Sequence, residues 1–148
     1  MSDFKKQVDV NHYNFLKYVD KNRFMSFYYQ LRYIYSINPS NVLEVGHGSG
    51  FIKKILQSEF DFKTLDIESG LNPDIVGSVL EMPIKDKSFD LVCCFQVLEH
   101  IPFYNFERAL LEMYRVSKKN VIISLPFSGF RLGFEVRINK KKKIFYFY

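Results

Sequence analysis

A short apolar run, Asn41 to Val45, leads directly into Glu44-Val45-Gly46-His47-Gly48-Ser49-Gly50. Glycines at this spacing remove Cβ atoms where a strand turns, so the backbone can bend sharply and approach a ligand closely. Asp66 closes a second apolar run twenty positions after Gly46. A carboxylate there can accept hydrogen bonds from both hydroxyls of a ribose. Glycine loop and spaced acid together read as a site for an adenosine-type cofactor. A dinucleotide fingerprint, GxGxxG, would need its third glycine at position 51, which is Phe51. Glu44 is unfavourable beside a pyrophosphate but suits a ligand that carries an ammonium group and a sulfonium, as S-adenosylmethionine does. No GxxxxGK[ST] phosphate loop is present.

The elements that would position these residues alternate between strand and helix. The first 36 residues read as helical, with Phe24, Phe27, Tyr28, Leu31, Ile34 and Tyr35 as an apolar stripe. Asn38-Pro39-Ser40 ends that helix, because the residue before a proline is pushed out of the α region. Strands are expected at 41–45, 62–67, 74–76, 89–95 and 120–125, and helices at 51–58 and 106–116. The last helix is read from Leu110, Met113 and Tyr114, and Phe89 to Phe95 is a continuous apolar run suited to a strand covered on both faces. Alternation of this kind predicts an α/β fold with a parallel sheet and right-handed crossovers, with ligands at the C-terminal ends of the strands.

The segment VLEVGHGSG, Val42 to Gly50, resembles motif I of class I S-adenosylmethionine-dependent methyltransferases. TLDI, Thr64 to Ile67, resembles their second motif, and GSVLEMPIKDKSFDLVCCFQVLEHIP, Gly77 to Pro102, resembles the third and fourth motifs of the small-molecule branch called methyltransferase type 11. The resemblance covers roughly Asn41 to Pro126. It implies a Rossmann-like, doubly wound, mainly parallel sheet of order 3-2-1-4-5 with N-terminal helices, and S-adenosyl-L-methionine as cofactor. It implies that Gly46, Gly48 and Gly50 line the methionine part, that Glu44 organises the amino group, and that Asp66 holds the ribose. Ile67 would pack on the adenine, Ser78, Val79 and Leu80 would border it, and Phe95 and Gln96 would face the sulfonium. Many relatives have Asp where this chain has Ser78, so the adenine hydrogen bond loses its charge assistance.

The resemblance departs at the C-terminal side. The family's sheet usually has two more strands after the one ending near Leu125, and 22 residues follow Pro126 here. Phe134 to Ile138 and Ile144 to Tyr148 are β-prone, with Lys140 to Lys143 between them as a charged turn. They are expected at most as a hairpin over an otherwise exposed sheet edge. That edge also offers a route to homo-oligomers. The domain reading is an N-terminal helical segment, 1–36, and a truncated cofactor-binding domain, 37–148.

Candidate chemistry outside the cofactor site is sparse. Glu99 and His100 stand in a QxxEH arrangement beginning at Gln96, where some quinone-pathway methyltransferases bind metal through ExxEH; a neutral amide is a poorer ligand for hard cations, and no metal is expected. His100 is the candidate general base for a hydroxyl acceptor. His47 reads as a tolerated loop residue. Cys93 and Cys94 are adjacent, lack zinc spacing, and read as buried thiols in a reducing compartment.

The net charge of +5 owes much to the lysine run at 140–143, which reads as a solvated turn or tail. An 18% aromatic share points to a bulky core or an apolar cleft. No signal-peptide stretch and no apolar run of membrane-spanning length is seen, so the chain reads as cytoplasmic. The place of the [DN]PP[YF] motif of base-amine methyltransferases holds Phe95-Gln96-Val97-Leu98, which disfavours nucleic acid. The expected function is methyl transfer to a small-molecule or glycan-precursor acceptor. Its rivals are a degenerate, non-catalytic cofactor-binding module and, disfavoured by Phe51 and Glu44, a nucleotide-dependent oxidoreductase.

Overall fold

The computed structural model describes residues 18–126. The proposed hairpin at 134–148 and the first seventeen residues lie outside them. The described elements are α1 (Lys21–Ile37), β1 (Asn41–Val45), α2 (Phe51–Leu56), β2 (Asp61–Asp66), β3 (Ile75–Val76), β4 (Phe89–Phe95), α3 (Phe106–Val116) and β5 (Ser117–Ser124). The strands form one sheet of order β3-β2-β1-β4-β5, and every strand pairing among them is parallel. This is the α/β topology expected from the sequence.

Side chains alternate across each strand, so the sheet builds two cores. On one face Leu43, Val45, Val92 and Cys94 pack with Ala109, Met113 and Val116 of α3. On the other, Val42, Leu91, Cys93 and Phe95 pack with Phe27 and Ile34 of α1 and with Ile52 and Leu56 of α2. Alternation puts Glu44 on the second face, toward α1. Helix α1 therefore shares a core with the sheet. Both cysteines are fully buried as free thiols, and burial raises the pKa of each.

The ends of α1 are capped locally. The Asp20 carboxylate accepts from the Arg23 backbone N–H at 2.8 Å, and Asn38 takes a left-handed conformation (φ 50°) while its N–H donates to the Ile34 carbonyl at 3.1 Å. The helix buries part of the stripe read in the sequence, with Leu31 packed partly buried against the same core. Phe27, Gln30 and Ile34 are buried, whereas Phe24, Tyr28 and Tyr35 are exposed. Aromatics surround this helix on several sides, so hydrophobic periodicity alone does not orient it. In α3 the buried residues are Ala109, Met113 and Val116; Tyr114 is exposed, with Lys87 Nζ 4.0 Å from its ring centroid.

Strand β5 begins at Ser117, three residues before the expected start. Ser117 pairs with Phe89, an irregularity follows, and Asn120 pairs with Leu91. Lys118 and Lys119 occupy the irregular stretch, with their ammonium groups 3.4 and 3.7 Å from the Asp90 carboxylate. Charged residues mask the beginning of the strand in the sequence. Helix α2 stops at Leu56, two residues before the expected end, as the chain turns into β2 through Phe60 N–H donating to the Leu56 carbonyl at 2.9 Å. Among the described residues no helix is long and apolar enough to cross a membrane.

Candidate functional site

Three strand ends meet at the centre of the sheet: the glycine loop after β1, Asp66 at the end of β2, and Gln96 after β4. The loop is fastened by Gly46 N–H donating to the Leu65 carbonyl at 2.8 Å and by Gly50 N–H donating to the His47 carbonyl at 2.9 Å. Gly46 has φ +89°, and a Cβ built there would overlap the Val97 side chain. Gly50 has φ +66° and would bring a Cβ to 2.9 Å from the His47 ring. A residue with a side chain would be strained at both positions.

A cleft of about 630 Å³ opens between this loop and α1. Of the residues expected in the site, Glu44, Gly46, Gly48, Phe95 and Gln96 line it. Glu44 is buried, and its Oε2 has no hydrogen-bond partner among the described residues. Burial foremost, and then the nearby Asp66 charge, push its pKa up to about 8, with Lys53 opposing. A buried carboxyl oxygen without a partner at the foot of an open cleft fits a ligand that brings a cationic donor.

The other expected residues lie outside the lining. Gly50 caps α2. The Asp66 carboxylate braces the loop: one oxygen accepts from His47 N–H at 2.7 Å and the other from Glu68 N–H at 2.9 Å. Each oxygen retains acceptor capacity for a second donor. Ile67 is 54% exposed beside it. Ser78 Oγ accepts from Leu80 N–H at 3.2 Å within a tight turn, while Val79 and Leu80 are buried in the core on the α3 face. His100 sits on a turn at 98–100, its Nε2 4.0 Å from Glu99 Oε1, and does not line the cleft. His47 does line it, with its Nδ1 buried and its pKa lowered, chiefly by burial.

Several features were not anticipated from the sequence. Gln96 has a left-handed backbone (φ 57°), and its N–H donates to the Ser124 carbonyl at 3.0 Å. Such a conformation is uncommon for a residue with a side chain. Arg23 and Gln30 bring α1 into the cleft lining, and Tyr18 joins them from just before the helix. Arg23 Nη1 donates to the Tyr18 hydroxyl at 2.8 Å, and its guanidinium carbon lies 4.1 Å from the Tyr18 ring centroid. Gln30 is 5% exposed, and its Oε1 has no hydrogen-bond partner among the described residues, a state that costs about 1–3 kcal/mol. The only sequence signal for Gln30 is its place between Phe27 and Ile34 at helical spacing.

The family model described as "Methyltransferase domain" matches residues 43–125. An uncharacterized methyltransferase of Schizosaccharomyces pombe is 34% identical over 104 residues, covering 62% of this chain and 40% of that protein. The chain spans well under half the length of the curated relatives it matches. Among solved structures, a putative S-adenosyl-L-methionine-dependent methyltransferase of Methanococcus maripaludis has a TM-score of 0.65 at 21% identity, covering 86% of this chain and 68% of that one. The S-adenosylmethionine-bound amino pentose methyltransferase CalS10 of Micromonospora echinaspora has a TM-score of 0.61 at 14% identity, covering 90% of this chain and 65% of its own. At these identities the two structures share the fold.

Proposed function

Because the chain belongs to the class I S-adenosylmethionine-dependent methyltransferase family, we propose that it binds S-adenosylmethionine at the glycine loop and methylates a small-molecule or glycan-precursor acceptor. The observation that carries this reading is the buried, unpartnered Glu44 Oε2 beside Gly46 and Gly48. When bound, the cofactor supplies a methyl group on a positively charged sulfur that departs as a neutral thioether.

The chain's residues hold and align. Glu44, once ionised, accepts from the ammonium group. Gly46, Gly48 and Gly50 admit the methionine part by lacking Cβ atoms. Asp66 accepts from the ribose hydroxyls with the lone pairs left over from bracing the loop. Ile67, Ser78, Val79 and Leu80 border the adenine, and Phe95 and Gln96 close the sulfonium side against water. Alignment and desolvation of the acceptor carry most of the acceleration, so a side-chain base is not essential. The placement of His100 outside the cleft lining supports that reading over a His100-dependent one.

Calorimetric titration with S-adenosylhomocysteine, using NADH as control, tests the cofactor. This demethylated product of the cofactor should bind and NADH should not. Asp66→Ala should weaken binding by about 1.5–3 kcal/mol, the scale of charged hydrogen bonds. Unchanged affinity in a folded Asp66→Ala protein, or tighter binding of NADH, contradicts the assignment. Binding with no methyl transfer to any member of a small-molecule panel would favour the non-catalytic module.

A further inference from the structure

The strand register sets Thr64 of β2 and Cys93 of β4 beside Glu44, on the face of the sheet that carries α2. Parallel strands lie about 4.8 Å apart, so Thr64 is one strand spacing from the Glu44 backbone. Thr64 leads on to Asp74. Its N–H and its Oγ1 donate to Asp74 Oδ2 at 2.7 and 2.9 Å, and the Asp74 N–H donates back to Thr64 Oγ1 at 3.1 Å. The same Oδ2 holds Lys53 Nζ of α2 at 2.6 Å. Of the groups that act on Glu44, Asp66 of β2 is the acid and Lys53 the cation. Tyr18, ahead of α1, and Cys93 and Cys94 of β4 feel the Glu44 charge in turn. Arg23 of α1 is engaged with Tyr18.

A lysine this near a buried carboxyl group gains by pairing with it. Lys53 pairs elsewhere, with an acid that Thr64 fixes at two points, and Glu44 Oε2 is left without a partner among the described residues. From this arrangement we infer that Asp74 is a positioning residue for the cofactor site: by holding Lys53 it keeps Glu44 open to the ammonium group of the ligand. The inference rests on the methyltransferase reading above and deepens it. The lysine ammonium is a compact charge on a flexible four-carbon stem. Released from Asp74, it turns across Thr64 toward Glu44 and satisfies that carboxylate from within the protein. The ligand's ammonium group then has a resident competitor. Asp74 thus acts through Lys53 and touches no ligand itself.

A double-mutant cycle in the full chain tests this, with the parent, Asp74→Asn, Lys53→Met and the double variant. Asparagine keeps an acceptor for Thr64, and Asp74→Ser takes its place if that variant fails to fold. The ionisation of Glu44 is followed first, by carboxyl carbon-13 NMR in the ligand-free protein. In Asp74→Asn the Glu44 midpoint should fall by about 1–3 pH units, the scale of an opposite charge moving into contact. Lys53→Met should reverse that fall in the Asp74→Asn background and move the midpoint much less in the parent. Equal effects of Lys53→Met in the two backgrounds mean that the pair only staples α2 to the entry of β3, and overturn the inference. A midpoint unmoved in Asp74→Asn overturns it as well. Affinity for S-adenosylhomocysteine is then measured above the Glu44 midpoint, where every variant presents the carboxylate. Asp74→Asn should bind about tenfold more weakly, the scale of one charged hydrogen bond, and the double variant should recover the loss. Parental affinity in Asp74→Asn, or a loss that Lys53→Met does not restore, contradicts the positioning role. Failure of S-adenosylhomocysteine to bind any of the four proteins strikes the proposed function, while the Glu44 titration still decides whether Asp74 withholds Lys53.

Discussion

Burial raises the pKa of Glu44 in the folded chain to about 8 from an ordinary value of 4.5. Its contribution to the stability of the ligand-free protein is therefore complete below about pH 4.5 and is lost as pH rises through about 8. A cationic ligand that needs the ionised carboxylate must expel the proton below that point. Cofactor affinity should climb with pH, by up to about tenfold per unit, and level off near pH 8. Titrations in buffers of different ionisation enthalpy should show proton release near neutrality, and Glu44→Gln should remove both effects. An affinity that is flat from about pH 6 to 8 would contradict the assignment. Glu44, Gly46 and Gly48 were legible in the sequence because they fall in one contiguous motif tied to a strand end. Arg23 and Gln30 were not, because a polar residue on a helix reads as solvated until the facing of the helix is known. The Asp66 carboxylate was legible as a ligand group but not as the brace of the glycine loop, since that depends on where the His47 amide lies.

Asp74 shows how short elements are held together at the β3 edge. Its Oδ2 accepts from Lys53 Nζ at 2.6 Å, from Thr64 N–H at 2.7 Å and from Thr64 Oγ1 at 2.9 Å, tying α2 and β2 to the entry of β3. Partial burial works against the charged form, but these hydrogen bonds prevail and lower the Asp74 pKa to about 2. The resulting stability is present above about pH 3.8 and is lost as pH falls through about 2. Asp74→Ala should lower neutral-pH stability by on the order of 1 kcal/mol, allowing for solvent screening, and should flatten the acid limb between those values. Denaturant melts at neutral and acid pH check this; a parallel loss at both would mean the contribution is not ionic. The bounds of β1, β4 and α3 match the sequence reading residue for residue: β1 and β4 are short, largely apolar runs, and α3 repeats apolar residues at helical spacing. The start of β5 was hidden by Lys118 and Lys119, whose place in the strand depends on Asp90 across the sheet.

At the scale of the molecule, the cleft joins two units of the packing: the central strands and the helix that precedes them. A ligand bridging them should stabilise the whole fold. At about 100-fold excess over its Kd, S-adenosylhomocysteine should add about 2.7 kcal/mol to the unfolding free energy, and NADH nothing. Thermal or denaturant unfolding reads this directly, and equal stabilisation by the two ligands would contradict it. The left-handed backbone at Gln96 carries one more consequence, on the timescale of descent. Glycine and asparagine reach that conformation more readily, so a glutamine there works against the local preference of the chain. In a lineage that ceased to use the cleft, nothing would hold the glutamine in place, and drift would replace it early. Substitution at this position across descendants would then date the loss of the site before the fold itself began to erode.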